Sequence, residues 1–375
     1  MNYKQKYSYN DWTVLIYAAG NNDLEYYIYQ QFQSIKNSID TENINVIVQI
    51  SRAPKAEYQD NSTKDINEDW NGTRRYVIRN KTSVLVDDLG EINMARPNTL
   101  LDFLIWGIST FPSRKIMLIL SGHGAGFVGI MKENTDKGAT IMGIQGFSKV
   151  LAIFQKTTKR KIEIILFDTC FMDTIEILHE IALKSNGAAV YAMIPKNDSL
   201  VQGLSYTRIL DILKNKHQNE LKINEIINSL INLDKSNACS SGLFAIHLLE
   251  NDFIILKKLI DSMSEVFIKN SNKFKDMLIN VGFYKQNNDF IDLLTLLKLC
   301  KYYPDIDNSN DQFLVVLNNI IVNPTLNQIV ERKDLGLKLF FPHNSQVYLK
   351  YHNLYKQMLF CSDNRWVELI DEINM

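Results

Sequence analysis

The segment KIMLILSGHGAG, residues 115–126, decides the fold class, and KIEIILFDTC, residues 161–170, repeats its form. Each is a short, nearly continuous apolar run that ends in small and polar residues. Runs of this kind are typical of strands that are buried on both faces of a parallel sheet. Active sites of open α/β sheets gather at the carboxyl ends of such strands. We therefore expect the ends of these two strands to lie close together and to carry the chemistry.

Outward from these two segments, apolar runs alternate with amphipathic segments over the first part of the chain. Further strands are predicted at residues 12–18, 45–50 and 188–194, with a hairpin formed by residues 75–78 and 83–86. Helices are predicted at residues 23–39, 97–109, 146–157 and 172–183. This alternation predicts a three-layer α/β/α sandwich with a mostly parallel central sheet and right-handed crossovers.

The chain is expected to divide near residue 210. Residues 1–210 are predicted to form the α/β core that carries the chemistry. Residues 211–375 are predicted to form a mainly helical region that packs on this core. Two apolar runs in that region, residues 242–248 and 336–341, are predicted to be strands that extend the central sheet.

The composition is that of an ordinary globular protein, with 46% hydrophobic and 22% charged residues in a chain of 375. The net charge of -1 provides no broad basic field, so neither a nucleic acid nor a membrane surface is an expected partner. The opening residues MNYKQKYSYNDW contain no apolar leader, and the chain has no apolar run long enough to span a bilayer. These observations predict a cytoplasmic protein, although a leader that has been removed would leave the same opening.

The four cysteines, Cys170, Cys239, Cys300 and Cys361, are far apart in the sequence and form no CxxC pair. This spacing argues against a disulfide framework and against a zinc module. Cys239, Cys300 and Cys361 are interpreted as buried thiols. Cys170 differs from them because it stands at the end of a predicted strand.

His123 and Cys170 follow the two strands quoted above, 47 positions apart. A thiol must lose its proton to act as a nucleophile, and its leaving group must gain one, which a histidine can supply. The glycines around His123 allow close approach of a substrate backbone. A cysteine that opens the helix predicted at residues 172–183 would also gain from the helix dipole, which favours the thiolate. No third ligand is evident nearby, so a zinc site is disfavoured.

A competing interpretation comes from Gly124, Gly126 and Gly129, which match the dinucleotide-binding pattern GxGxxG directly after a strand. This interpretation requires a helix that opens at these glycines, because the pyrophosphate binds at a helix N-terminus. The residues that follow are polar and have no long apolar face. The alternative therefore depends on what residues 130–138 form.

The same stretches resemble the clostripain family of cysteine peptidases, in the clan that also holds the caspases. The resemblance rests on WTVLIYAAGNNDLE at residues 12–25, LILSGHGAGFVGI at 118–130 and ILFDTCFMDTIEILHEI at 165–181, and it is weaker beyond residue 210. It implies a caspase-like three-layer sandwich. Two departures from the family pattern are Asp173, where a small residue is common, and AMIPKNDSLVQG at residues 192–203.

The resemblance implies a role for each residue at the two strand ends. Cys170 would be the nucleophile, and His123 would protonate the leaving amine. The backbone N–H groups of Gly124 and Cys170 would form the oxyanion hole. Asp168 would line the pocket for an Arg or Lys side chain before the cut, and the alternative for Asp168 is a helix N-cap.

The resemblance also implies a protein or peptide substrate with Arg or Lys at the cut, and no required cofactor. Calcium activation occurs in the family, but this chain has no DxDxDG-type loop, so calcium stays an open question. Relatives are cut internally between the histidine and the cysteine, and the polar residues 131–140 make Lys137-Gly138 the best candidate bond. The alternative from a different class is a catalytically silent scaffold with the same fold, against which the intact His123 and Cys170 argue.

Overall fold

A computed structural model describes residues 10–38, 41, 43–54, 70–195, 201–215, 223–233, 243–283, 289–322 and 335–374. Strands and helices alternate through the first half of the chain, as the apolar runs predict. The strands are β1 (Asn10–Gly20), β2 (Ile44–Arg52), β3 (Gly72–Arg79), β4 (Thr82–Gly90), β5 (Ser113–Ser121), β6 (Ile130–Thr135), β7 (Gly138–Met142), β8 (Ile162–Asp168), β9 (Ala189–Pro195), β10 (Leu243–His247), β11 (Phe290–Asp292) and β12 (Lys338–Phe340).

Eight strands form the central sheet in the order β10-β9-β8-β5-β1-β2-β3-β4. The five middle strands, from β9 to β2, are parallel. The β3–β4 hairpin closes one edge in antiparallel fashion, and β10 closes the other edge. The sheet is therefore mostly parallel, as predicted, and β1 lies between β2 and β5 at its centre.

The helices that the structure describes cover both faces of this sheet. They are α1 (Glu25–Ser38), α2 (Pro97–Thr110), α3 (Ile144–Thr158), α4 (Ile175–Lys184), α5 (Tyr206–Asn215), α6 (Ile223–Leu233), α7 (Glu250–Lys269), α8 (Ser271–Asn280), α9 (Leu293–Cys300), α10 (Asp307–Ile320), α11 (Ser345–Tyr355) and α12 (Trp366–Asn374). Within the described residues, none of these helices is both long and apolar enough to cross a membrane.

Alternate residues of each strand point into one of two cores. Val14 and Ile16 of β1 pack with α1, α5 and α6 on one face of the sheet, which we call the α1 face. Leu15 and Tyr17 pack with α2, α3 and α4 on the other face, which we call the α4 face. This alternation follows from the two-residue period of a strand. The α4 face continues without a break into the C-terminal helices α7 to α12.

The two strands predicted in the C-terminal region have different outcomes. β10 joins the central sheet beside β9, as expected. The prediction that residues 336–341 extend the same sheet is wrong, because β12 pairs with β11 in a separate two-stranded sheet. An isolated parallel bridge joins Lys338 of β12 to Thr174, six residues beyond the end of β8.

The segment after His123 differs from the polar loop expected from its composition. A short 3-10 turn, Gly126–Val128, is followed by the antiparallel hairpin of β6 and β7. The dinucleotide interpretation of Gly124, Gly126 and Gly129 is therefore wrong, because a strand and not a helix N-terminus follows these glycines.

The helix after Cys170 begins later than predicted. α4 starts at Ile175, five residues after the cysteine, because the chain first makes a turn in which Phe171 has a φ of 59°. The prediction that the helix dipole favours the Cys170 thiolate is therefore wrong, because this effect is confined to the first turn of a helix.

The remaining cysteines agree in part with their interpretation as buried thiols. Cys300 is buried, and burial raises the pKa of its thiol to about 12. Cys361 is only partly buried, and Cys239 lies outside the described residues.

Candidate active site

The two predicted strand ends meet at the carboxyl edge of the central sheet. Ser121, the last residue of β5, pairs with Asp168, the last residue of β8. The N–H of Gly122 donates a 3.3 Å hydrogen bond to the carbonyl oxygen of Asp168, and this bond joins the ends of the two strands. The His123 and Cys170 loops therefore start from adjacent points.

A cleft of about 130 Å³ opens at this edge, on the α1 face of the sheet. His123, Cys170 and Asp168, the three side chains that the sequence singles out, all line it. The other lining residues come from the start of α1, the end of β5 and the segment before α5: Leu24, Tyr27, Ile28, Gln31, Ser121, Gly122, Val201, Gln202 and Gly203. Residues separated by more than 170 positions thus share one cavity.

His123 has a partner that the sequence analysis missed. Its Nε2 lies 2.9 Å from Oδ1 of Asp23, in the loop between β1 and α1. The Nζ of Lys132 lies 3.5 Å from the same oxygen. Partial burial of Asp23 raises the pKa of its carboxyl. The hydrogen bond to His123 and the charges of His123 and Lys132 lower it, and the result is a pKa below the ordinary value. Asp23 is thus a carboxylate that orients the His123 ring.

A signal for Asp23 was present in the sequence. The stretch Asn21-Asn22-Asp23 follows β1 directly, and polar residues after a buried strand are the pattern that singled out His123 and Cys170. What the pattern does not contain is the order of the strands. β1 neighbours β5 in the folded sheet, which brings Asp23 beside His123.

The Asp23 loop is held in place by Asn22, which is fully buried. Its Nδ2 donates to the carbonyl oxygens of Ala19 and Lys132, each at 2.8 Å, and its Oδ1 accepts from the N–H of Leu24 at 2.9 Å. These bonds join the end of β1 to β6. The position of Asp23 therefore depends on the hairpin that follows His123.

A second buried contact supports the same loop. The hydroxyl of Ser51 accepts from the N–H groups of Gly20 and Asn21, at 3.0 and 3.2 Å. It donates to Oε2 of Glu133 on β6, at 3.2 Å. Burial raises the pKa of Glu133 to about 8, against the smaller lowering effects of the bonds from Ser51 and from the backbone of Met94. Glu133 is therefore neutral in the folded protein below about pH 8.

This buried carboxyl predicts a pH dependence of stability. The pKa of Glu133 is higher in the folded protein than its ordinary value of 4.5, so the folded state binds the proton more tightly. Its contribution is complete below pH 4.5 and is lost as the pH rises towards about 8. Glu133→Gln removes this loss and is expected to unfold with a higher free energy than wild type at pH 8, by on the order of a few kcal/mol.

Urea unfolding of both proteins between about pH 5 and 8 measures this difference. The exposed Glu368 provides the matched control, because Glu368→Gln should leave the wild-type curve unchanged. A constant gap between Glu133→Gln and wild type over this range would contradict the prediction.

The Cys170 loop is packed closely against the His123 loop. A Cβ at Gly124 would lie only 2.3 Å from the carbonyl oxygen of Cys170, so this approach requires glycine. The Cys170 side chain itself is partly exposed and is not in a disulfide. The nucleophile candidate is thus accessible while its backbone is fixed.

The structure explains Asp173, one of the two departures from the family pattern. Asp173 is buried, and its Oδ2 forms a 2.7 Å ion pair with Nζ of Lys338 on β12. The N–H of Lys338 also donates to the carbonyl oxygen of Asp173 at 2.9 Å. The C-terminal region therefore holds the turn that carries Cys170.

Asp168 lies at the base of the cleft and is only 6% exposed. Its Oδ2 accepts from the hydroxyl of Tyr206 at 2.7 Å and from the N–H of Leu204 at 3.2 Å. Burial and then the charge of Asp168 raise the pKa of Tyr206 well above its usual value, so this hydroxyl keeps its proton. The alternative N-cap role is wrong, because α4 begins seven residues later.

The candidate internal cleavage bond, Lys137-Gly138, lies at the tip of the β6–β7 hairpin. Lys137 is exposed, and Gly138 has a φ of 106°. The Thr135 hydroxyl closes the turn, because it donates to the Gly138 carbonyl oxygen at 2.7 Å and accepts from the Lys137 N–H at 3.3 Å. This bond is accessible but is held in a tight turn.

Within the described part of the chain, no group of three or more His, Cys, Asp and Glu side chains is placed to hold a metal ion.

The architecture is similar to that of solved cysteine protease structures. A secreted C11 cysteine protease from Bacteroides thetaiotaomicron, solved with an irreversible peptide inhibitor, superposes with a TM-score of 0.63 at 14% identity, over 94% of this chain and 98% of that one. An inactive zymogen of a C11 protease from Parabacteroides distasonis gives a TM-score of 0.65 at 17% identity, over 97% and 98%. This likeness defines a caspase-like α/β fold.

A sequence profile of the clostripain family matches residues 16–372, and the chain belongs to this family of cysteine peptidases. Clostripain from Hathewaya histolytica is 23% identical over 225 residues, which are 54% of this chain and 42% of that protein. The chain thus spans less than half the length of this curated relative.

The prediction of a cytoplasmic location is wrong. Two of the similar structures are described as secreted proteases, the inhibitor complex above and a second structure from Bacteroides thetaiotaomicron with a TM-score of 0.59 at 14% identity, over 84% of this chain and 85% of that one. The prediction failed because the opening residues do not determine the compartment, since a removed leader leaves no trace in them.

Proposed function

We propose that this protein is an endopeptidase that cleaves protein or peptide chains after Arg or Lys, with Cys170 as nucleophile and His123 as general acid. The observation that carries this proposal is the shared cleft. A thiol, an imidazole with a carboxylate partner, and a buried carboxylate at the base all line one cavity of about 130 Å³.

In the proposed reaction, the Cys170 thiol gives its proton to His123, and Sγ attacks the carbonyl carbon of the residue before the cut. His123 gives a proton to the leaving amine as the C–N bond breaks, and a thioester remains on Cys170. Water then attacks the thioester, and the thiol is released. Asp23 holds the imidazole ring through its 2.9 Å contact with Nε2.

The oxyanion hole is assigned to the N–H groups of Gly124 and Cys170. Gly124 faces Ile130 in an antiparallel bridge whose hydrogen bonds are made by the neighbouring residues, from Met131 N to His123 O and from Ala125 N to Gly129 O. The N–H of Gly124 therefore points away from this hairpin and towards the side where a substrate would lie. Each such donor typically contributes about 3 kcal/mol to lowering the barrier.

The preference for Arg or Lys is assigned to Asp168. Leu24 and Ile28 offer apolar walls for the aliphatic part of such a side chain, and Gly203 leaves room above the carboxylate. A Cβ at Gly203 would lie 2.6 Å from Oδ2 of Asp168. A guanidinium or ammonium group gains most where it replaces water beside a buried carboxylate.

A thiol-reactive peptide probe with Arg next to the reactive group tests this function. We expect it to label wild type covalently, at Cys170, and to leave Cys170→Ala unlabelled. A matched probe with Asp in place of Arg should react far more slowly. Absence of labelling together with absence of peptide turnover would favour the silent scaffold instead. The proposed chemistry needs no metal, and chelation of calcium during turnover tests the remaining question of activation.

Asp23 is predicted to matter through the orientation of the His123 ring. In Asp23→Asn, kcat is expected to fall about 10-fold, a moderate loss because Asp23 is 61% exposed at its side chain. Because Asp23 contacts the His123 ring and does not line the cleft, KM should change little, and Asp23→Glu should recover part of the lost kcat. Asp136→Asn, in the exposed hairpin turn, is the matched control. An unchanged kcat in Asp23→Asn would exclude this role for Asp23.

Self-processing is predicted at Lys137-Gly138. Because the bond sits in a tight turn and proteases bind extended chains, we expect cutting to depend on opening of the hairpin tip. Denaturing gels should show fragments of residues 1–137 and 138–375 in wild type, and intact chain in Cys170→Ala and Lys137→Gln. The fragments should stay together without denaturant, since β6 and β7 are paired. A fully active wild type with a single intact band would show that processing is not required.

A further inference from the structure

Phe171, the residue directly after Cys170, combines two unusual features. Its side chain is 42% exposed, and its backbone has a φ of 59°. A bulky residue in the left-handed region is an outlier that is energetically unfavourable, and such outliers cluster at functional sites. The fold therefore holds an aromatic ring in solvent beside the nucleophile at an energetic cost.

A second aromatic residue, Phe290, lies near Phe171, with the buried Gly126 between them. Gly126, which has a φ of 61°, lies between Phe171 and Phe290. A Cβ on Gly126 would be 3.8 Å from Cβ of Phe171 and 3.9 Å from Cζ of Phe290. Phe290 is partly buried and packs on Phe340, with ring centroids 5.8 Å apart. We call the pair Phe171 and Phe290 the aromatic seat.

The aromatic seat and the cleft lie on opposite faces of the sheet. Asp168 follows Ile164 and Leu166 in the alternation of β8, so it points to the α1 face, where the cleft is. Phe290 packs against the core of the α4 face. Cys170 stands between the two, at the end of the sheet.

The place of Cys170 between the two surfaces bears on how a peptide could bind. A peptide with a basic side chain in the cleft and its scissile carbonyl at Cys170 would have the residue after the cut beside Cys170, within reach of Phe171, the next residue of the chain.

We infer that the aromatic seat binds an apolar side chain on the residue immediately after the cut, so that the preferred substrates have Arg or Lys followed by Leu, Ile, Met or Phe. This inference rests on the proposed function. Burial of an aliphatic or aromatic side chain against Phe171 and Phe290 is expected to raise kcat/KM about 10-fold over glycine at that position.

Internally quenched peptides that differ only in the residue after Arg provide the first test. Leu and Phe should be cleaved about 10-fold faster than Gly, and Asp should be poorest. Phe171→Asn and Phe290→Ala should each reduce this preference. Asn tolerates the left-handed backbone at residue 171, and Phe290 is on β11, away from the turn that carries Cys170. The exposed Tyr302 gives the control Tyr302→Ser, which should keep the preference.

Capture of the acyl-enzyme by added amines gives a measurement that does not depend on the rate of acylation. The amine nitrogen attacks the thioester carbon, the C–S bond breaks, and the Cys170 thiol regains a proton as a new amide forms. With an arginine ester as acyl donor, leucinamide should capture the acyl group about 10-fold better than glycinamide in wild type. This ratio should approach one in Phe171→Asn.

The outcomes separate this inference from the proposed function. Failure to hydrolyse any ester or peptide with Arg or Lys before the cut would overturn the proposed function. Normal hydrolysis of those substrates with equal capture of leucinamide and glycinamide would overturn the aromatic seat alone.

Discussion

Cys170→Ala is expected to lower kcat/KM for a peptide with arginine before the cut by at least about 10³-fold. The thiol is the only group in the proposed mechanism that forms a covalent bond to the substrate, and alanine cannot replace it. The side chain is partly exposed and small, so the thermal midpoint of unfolding should change little. Turnover by wild type and variant, with thermal unfolding of both, measures these effects.

His123→Ala is expected to cause a loss of similar size, since nucleophile and acid act as one unit. The double variant should therefore be hardly worse than either single variant. Cys361→Ala is the control for loss of a thiol. Burial is the largest of the causes that raise the pKa of Cys361, so this side chain holds no thiolate at neutral pH. Wild-type turnover by Cys170→Ala would show that another residue is the nucleophile.

Asp168→Asn is expected to reduce the preference for arginine over its neutral isostere citrulline by about 10- to 150-fold. The charge-assisted contact with a guanidinium is lost, while the amide keeps the size of the carboxylate and can still accept from Tyr206 and Leu204. Paired peptides with arginine or citrulline before the cut measure the ratio directly. The citrulline substrate serves as its own control, because its rate should be nearly the same in both proteins.

The same peptides can also show that the assignment of Asp168 is wrong. A loss of turnover that is equal for arginine and citrulline would mean that the variant damages the site without changing its selectivity. A wild-type preference for Asp or Asn before the cut would exclude the basic pocket altogether.

Local sequence was sufficient for the elements that bring His123 and Cys170 together. The apolar runs that end at Ser121 and Asp168 are strands that can only be buried on both faces, and a crossover that contains the helix α3 places them in parallel. The helix after Cys170 was placed too early, because a turn through Phe171 at positive φ leaves no trace in the apolar pattern.

Contacts between distant segments required the tertiary structure. Asp23 lies 100 residues before His123, and its role depends on β1 being inserted between β2 and β5. The ion pair of Asp173 with Lys338 depends on where β12 docks. Apolar periodicity reports which face of an element is buried, but it contains no information on which element covers that face. The sequence by itself thus determined the fold class and singled out His123 and Cys170 as candidates, whereas strand order and loop packing decided which carboxylates, aromatic rings and lysines surround these two residues.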